Sequence, residues 1–352
     1  MTMMKKPEPL MLECGIAGYF TFEAFKQDAD GNEIEGTRRK VAEFKNLITN
    51  TGLNCLLSKD ISGRTSYGYS CAIGSGNTPP TFTDTALQSF LVYVGAGTSG
   101  NSGKPYEMQT SGYAADSTYT WRRWVFRFAD GLAAYNNIQE VAIFAQGMSG
   151  SPARPNIMCS RALILDSGGN PTSIAIQSDE TLDIYYEMRY YPPAEVTGSI
   201  TLNGVSYDYN IRPIDFLPAQ YNAWGTATGD TSGMTALDTS IVGQGRWSSY
   251  YQTSVFASPV QTLYPKEQNA SAIWGNVENA QAWTLKPYVD NSFTRTGTIL
   301  FNLLQGNVSG GVGALFISVG LGGYKITFTS AKVPKTNQFK WSQDVIFTVA
   351  RR

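Results

Sequence analysis

The chain has 352 residues, enough for two domains with their own cores. Charged residues make up only 16% and aromatics 12%, with 35 glycines and 20 tyrosines, a mix that suits turn-rich β structure better than long surface helices. A formal net charge of −1 gives no bulk attraction to nucleic acid or to an anionic membrane.

Histidine is absent altogether. That removes the usual general base, the Ser-His and Cys-His nucleophile pairs and the commonest zinc ligand. The four cysteines, Cys14, Cys55, Cys71 and Cys159, are far apart and form no Cys-x-x-Cys pair. They read as buried thiols rather than as metal ligands or staples. Met1 to Leu12 carries Lys5 and Lys6 but too short an apolar run for a signal peptide. No stretch approaches the ~20 apolar residues of a spanning helix. The expectation is a soluble chain made in a reducing cytoplasm, with no cofactor and no metal.

In chain order, Gly15 to Phe25 alternates loosely and reads as a first strand, turning at Asp28-Ala-Asp-Gly-Asn32. Residues 38–50 read as a helix, because Val41, Phe44, Leu47 and Ile48 line one stripe. Thr37 is its candidate N-cap and Gly52 its left-handed stop. Tyr67 to Ile73 is a short strand, residues 74–80 a loop, and Thr81 to Phe90 a helical turn or two. Residues 95–117, rich in Gly, Ser and Ala, read as an exposed loop. Trp121 to Phe128 alternates again.

The best-patterned stretch runs from Asn137 to Pro193. Ile138 to Phe144, Cys159 to Leu165 and Leu182 to Tyr191 are extended apolar runs separated by turn-formers, as in an antiparallel meander. Ser167-Gly-Gly-Asn170 suits a hairpin connection, and Pro192-Pro193 ends the last strand. Leu182, Ile184, Tyr186, Met188 and Tyr190 share one face, which is expected to be core. Asp183, Tyr185, Glu187, Arg189 and Tyr191 share the other, expected to be wettable.

Val196 to Ile211 reads as a hairpin about Asn203-Gly204. Residues 212–245 hold scattered Pro and Gly and read as an irregular crossover. Strand-like segments follow at 247–256, 298–304, 312–319, 324–329 and 345–350. The expected architecture is mainly β: two antiparallel sandwich or jelly-roll-like units, 1–211 and 246–352, with one short N-terminal amphipathic helix.

The catalytic motifs fail on inspection. Gly97 to Lys104 has Thr98 where a phosphate loop needs its first glycine, and Pro105 where it needs Ser or Thr. Gly147-Met-Ser149-Gly-Ser151 lacks the last glycine of a nucleophile elbow. Asp179, Glu180, Asp183 and Glu187 are the densest carboxylates. Asp183 and Glu187 on one strand face would stand roughly 13 Å apart, wide even for an inverting glycosidase pair. Trp121-Arg-Arg-Trp124 with Arg127 mixes aromatic and basic side chains as single-strand binders do, but reads better as packing.

Several short runs taken in order carry a family likeness. They are Asn46 to Leu53, Ile73-Gly-Ser-Gly-Asn-Thr-Pro-Pro-Thr-Phe-Thr-Asp-Thr-Ala-Leu87, Ile138 to Phe144, Ser160 to Leu165, Gly169 to Thr172 and Asp183 to Pro193. Over roughly residues 13 to 195 the chain resembles tailed-bacteriophage virion structural proteins of the tail-fibre, collar and baseplate-associated kind. The resemblance implies a non-catalytic particle component, assembled in the bacterial host cytoplasm and meeting copies of itself and other virion proteins. Trp247, Tyr250, Tyr251 and Phe256, with Tyr185 and Tyr191, are the expected interface aromatics. One alternative is a tail adhesin that meets a host glycan or receptor through those aromatics. Another is a carbohydrate-degrading tail enzyme using the carboxylates named above.

Overall fold

A computed structural model gives the fold and describes residues 7–57, 67–68, 70–95, 110–113, 119–129, 131–135, 137–145, 157–192, 195–213, 255–263, 278–279, 281–319 and 322–352. The chain begins with β1 (Leu10–Lys26), β2 (Arg39–Lys45), β3 (Leu47–Ile48), α1 (Asn50–Leu57), β4 (Ser70–Gly74), β5 (Phe90–Gly95), β6 (Thr110–Tyr113) and β7 (Thr120–Phe128). Next come β8 (Glu140–Ala145), β9 (Ile157–Leu163), β10 (Glu180–Tyr191), β11 (Val196–Leu202) and β12 (Val205–Pro213). The last group is β13 (Val255–Ser258), β14 (Glu278–Asn279), β15 (Gln281–Leu285), β16 (Thr294–Phe301), β17 (Ala314–Val319), β18 (Gly322–Phe328) and β19 (Trp341–Arg351). The fold is mainly β.

One eight-stranded sheet is the frame, ordered β15-β16-β19-β1-β10-β7-β6 with β2 off this path against β1. Its axis is β1, which pairs antiparallel with β10 from Gly15 to Lys26 on one side. On the other side the first half of β1 pairs parallel with β19, Leu10 opposite Val345 to Ile16 opposite Arg351. The second half takes β2, Tyr19 opposite Lys45 to Ala24 opposite Arg39. Even-numbered side chains of β1 from Leu10 to Ala24 lie on one buried face. A five-stranded sheet (β3-β9-β8-β4-β5) and a six-stranded sheet (β11-β12-β18-β17-β13-β14) complete the sandwich. The first meets the frame through β3 against β1 and β5 against β7. The second meets it where the Tyr324 hydroxyl of β18 reaches Cys14 Sγ at 3.4 Å and the Tyr190 hydroxyl.

Leu182, Ile184, Tyr186, Met188 and Tyr190 are fully buried, as their period of two predicts. Tyr186 packs against the tilted rings of Phe20 and Trp124 at 5.0 and 5.7 Å and meets the Tyr67 hydroxyl at 3.0 Å. The Asn203-Gly204 hairpin is also present, with both residues at positive φ as a two-residue turn of this kind requires. All four cysteines are buried free thiols.

Four expectations change. The segment 38–50 is not a helix. The edge of β1 left open beyond β19 pairs with it as β2, and Phe44 packs on Phe20 and Phe22 at 5.8 and 5.7 Å. Its apolar stripe is fortuitous, because Ala42 and Phe44 at period two are the buried pair. The helix begins later, at Asn50. Thr49 caps it, its Oγ1 accepting the Gly52 N–H at 3.0 Å. Gly52 therefore lies inside α1 and ends nothing. Its missing Cβ leaves room for the Cys159 carbonyl, which an added Cβ would meet at 2.0 Å. Thr37 serves the preceding turn, accepting from the Lys26 N–H at 3.1 Å.

The meander also divides. β8 and β9 pair in the five-stranded sheet, while β10 leaves them for β1 and β7 in the frame. Residues 81–89 hold turns and no helix. Finally, strands from both proposed units share sheets: β1 pairs with β19, and β12 pairs with β18. A division at 212–245 therefore cuts through two sheets. Residues 214–245 of that crossover lie outside the described residues.

Candidate interaction face

The odd-numbered side chains of β1 and β10 point away from the core and form the outer face of the frame. The strand registers set them in rows. Glu23, Asp183 and Arg127 make one row, and Thr21, Tyr185 and Val125 the next. Then come Tyr19, Glu187 and Arg123, followed by Ala17, Arg189 and Trp121. Cross-strand neighbours on one face stand about 5 Å apart, so each carboxylate meets an arginine.

Arg127 grips Asp183 with two parallel bonds, Nε to Oδ1 and Nη2 to Oδ2, both 2.8 Å. Arg38, arriving from the turn before β2, donates to Glu23 at 2.8 Å, to both oxygens of Glu33, and to Asp183 at 3.4 Å. The two guanidinium groups cap the Phe25 ring at 4.0 and 5.2 Å, which buries a phenylalanine on an otherwise polar face. Glu187 receives Arg123 at 2.6 Å on one oxygen and Arg189 at 2.7 Å on the other. The wettable face predicted for β10 is thus a sealed ion-pair layer, with Asp183 only 1% and Glu187 7% exposed.

Further along β10 the face turns aromatic. Arg189 lies over Tyr19 at 3.9 Å and over Tyr119 at 4.7 Å. Tyr119 packs on Tyr191 at 5.2 Å, and Arg352 covers the Tyr191 ring at 4.6 Å. Arg123 stands 5.2 Å from the Trp121 ring. Tyr19, Tyr119, Trp121 and Tyr191 are all half-buried, so each shows a ring edge to the outside.

The titration shifts here have physical causes. The hydrogen bond from Arg38 holds Glu33 below the usual carboxylate range, and the same bond raises Arg38. Burial, then the Asp183 charge, pushes the Tyr185 hydroxyl up. Burial and then the Tyr19 hydroxyl do the same to Tyr191. Burial pulls Arg189 down, but its bond to Glu187 outweighs this and the net shift is upward. Each shift moves its group further from neutral pH, the reverse of what a general acid or base requires.

A second ionic cluster lies in the five-stranded sheet. Glu140 is fully buried and accepts the Arg161 Nε at 2.9 Å. It also accepts the backbone N–H groups of Gly76, Gln88 and Ser89 at 3.1, 3.1 and 2.8 Å. Arg161 in turn donates to Asp84 at 2.7 Å and to the Thr78 carbonyl at 3.0 Å. The cluster pins residues 74–89. Every bond in it is internal, so it is a clamp rather than an open site.

Tyr185 and Tyr191, expected as interface aromatics, are both on the outer face, six residues apart along β10. Phe256 is in β13, its backbone paired with Phe316 and Asn279. Trp247, Tyr250 and Tyr251 lie outside the described residues, as do the segments 97–104 and 147–151. Sequence reading missed Tyr19, Tyr119, Arg38 and Arg352 as members of this face. Tyr19 carried a signal, being an odd-numbered aromatic in a strand whose even positions are apolar; the others needed the sheet order. Among the described residues no group of three or more His, Cys, Asp or Glu side chains is placed to hold a metal ion. No helix of the described residues is long and apolar enough to cross a membrane.

Comparison with known proteins is negative: no known protein family, curated protein or solved structure matches the chain.

Proposed function

We propose that the chain is a structural, non-catalytic component of a tailed-bacteriophage virion, sited on the tail, collar or baseplate, where it anchors or forms fibre-like appendages. The observation that supports this best is the outer face of the frame. Glu23, Asp183 and Glu187 at its centre are each engaged by arginine and the neighbouring tyrosine rings are braced by guanidinium groups, which makes a surface suited to contact and poorly suited to proton transfer. A glycosidase needs one carboxyl that carries a proton toward substrate and a second that acts as base or nucleophile. Asp183 and Glu187 are instead each held by two arginines. Partners on this reading are copies of the chain and other virion proteins. The short ordered runs that resemble phage structural proteins give the virion its place in the proposal.

The test is mass spectrometry of phage particles purified through a density gradient from cells carrying the encoding genome. The chain is expected in the particle band at a fixed copy number relative to the major capsid protein. Its absence from particles that do form would end the assignment. One observation favours a second reading, a tail adhesin. Tyr19, Tyr119, Trp121 and Tyr191 beside Arg189 offer ring edges and guanidinium donors to a host glycan. Binding on a glycan array without turnover, lost in Arg189→Ala, would select that reading.

A further inference from the structure

The six-stranded sheet ends in β11, and among the described residues nothing pairs with that edge. In the β11–β12 hairpin the two-residue turn makes Leu202 and Val205 a hydrogen-bonded pair, so the even-numbered residues of β11 bond to β12. The opposite parity on β12 confirms the phase. Asp208, which faces Ser199, turns its own carbonyl toward β18, where it accepts the Thr329 N–H at 2.8 Å. The backbone N–H and C=O groups of Thr197, Ser199 and Thr201 therefore point outward. Their side chains are exposed, and no backbone bond from a described residue reaches them.

Natural edge strands are normally blunted by lysine, proline, a bulge or shortness. β14, at the other end of the same sheet, is two residues long. β11 has none of these devices: seven residues, Val-Thr-Gly-Ser-Ile-Thr-Leu, with no charge, no proline and no register shift. Its outward positions also read the same in both directions, Thr197-x-Ser199-x-Thr201. Antiparallel pairing about a two-fold axis at Ser199 sets Ser199 against its own copy and Thr197 against the copy's Thr201. All three positions then become hydrogen-bonded pairs, giving about six new N–H···O=C bonds. Thr–Thr and Ser–Ser pairs across strands are favourable, and the absence of charge leaves nothing to repel.

We infer that β11 is a self-association edge, which joins the six-stranded sheets of two copies of this chain into one continuous sheet across a two-fold axis. The inference stands on the edge itself and does not depend on where the chain works. A heterologous strand would gain the same backbone bonds, but only a second β11 also matches the palindromic side-chain row.

Sedimentation velocity of the full chain tests it. The unaltered chain is expected to sediment as a concentration-dependent dimer. Ser199→Pro removes an outward N–H without taking a bond from β12, and Ser199→Lys sets two like charges face to face. Both variants are expected to be monomeric with unchanged circular dichroism and melting temperature. The native thiols are buried, so Ser199→Cys is expected to cross-link to its own copy under mild oxidation, while Ser206→Cys, one strand inward, is not. A chain that stays monomeric up to concentrations on the order of 100 µM overturns the inference, since even weak interfaces populate dimer there. So does a dimer that survives Ser199→Lys, or a dimer in which Ser199→Cys fails to cross-link.

Discussion

Glu140→Ala is the most informative single change to the fold. The carboxylate is fully buried and accepts from Arg161 and from three backbone N–H groups. Its removal leaves Arg161, itself almost fully buried, with Asp84 and the Thr78 carbonyl as remaining partners. Breaking one side of a buried ion pair costs about 3–5 kcal/mol, and each stranded N–H about 1–3 kcal/mol where water cannot reach it. The methylenes removed open space that admits some water, so the terms do not simply add, and the expected loss is about 3–5 kcal/mol. Against a total stability of about 5–15 kcal/mol this is plain in a urea melt followed by tryptophan fluorescence. Asp84→Ala removes a partly exposed partner of the same arginine and should cost only about 1–2 kcal/mol. Amide exchange should quicken in residues 74–89 of Glu140→Ala before it quickens in β10. A Glu140→Ala loss below about 1 kcal/mol, or an Asp84→Ala loss as large as that of Glu140→Ala, would refute the clamp.

Other expectations are as concrete. Ile184→Ala should cost about 2–5 kcal/mol by cavity formation, and Asp183→Asn, on the opposite face, about 2–4 kcal/mol by breaking its arginine grip. Asp183→Asn within about 0.5 kcal/mol of the unaltered chain in a urea melt would show that the outer layer is solvated after all. Gly52→Ala should destabilise the fold by at least about 2 kcal/mol, although alanine inside a helix ordinarily gains up to about 1 kcal/mol. An unchanged or raised melting temperature would mean that α1 does not abut the Cys159 carbonyl. Acid should weaken the chain: the hydrogen bonds from Arg38, Lys26 and the Asn170 backbone hold Glu33, Asp179 and Asp166 below their ordinary values. A depressed folded pKa gives stability that is present above the unfolded value and lost as pH falls through the depressed one. Urea midpoints should therefore hold from pH 7 to about 5 and fall below about 4; a midpoint that rises in that acid range contradicts the sign.

What the sequence made legible was local. Alternation gave the buried face of β10, the strand at β7 and the hairpin at Asn203-Gly204, because each is written in neighbouring residues. Pairing between distant segments left no such mark. Val41, Phe44, Leu47 and Ile48 fit a helical stripe, yet an open edge on β1 outweighed that weak local preference. Asp183 looked solvated because its partner Arg127 lies 56 residues away and Arg38 lies 145 away. The contact of Cys14 with Tyr324 spans 310 residues, and no pattern in either segment announces it. The same limit hid the make-up of the outer face. Tyr185 and Tyr191 were visible as strand aromatics, but Tyr19, Tyr119 and Arg352 joined them only through the order β1-β10-β7 and the β1–β19 pairing.

That order also sets which side chains meet on the outer face. A sheet this wide must be held in a single register. Setting Glu23, Asp183 and Glu187 against arginines from other elements does this, since a slip of one residue would turn the charged side chains into the core and leave the ion pairs unmade. The ion pairs are half-dried by the aliphatic stems of the arginines and by Phe25, so a partner that covers them removes little further water. Around Tyr191 the balance differs. Arg352 rests on the ring with no carboxylate partner among the described residues, and its N–H edges remain open. A guanidinium stacked on a ring keeps its donors in plane and pre-organised, so less side-chain entropy is lost when an acceptor arrives. The ionic rows around Asp183 therefore hold the sheet in register, and on the proposed reading the Tyr191 end is where an acceptor-bearing partner would gain most.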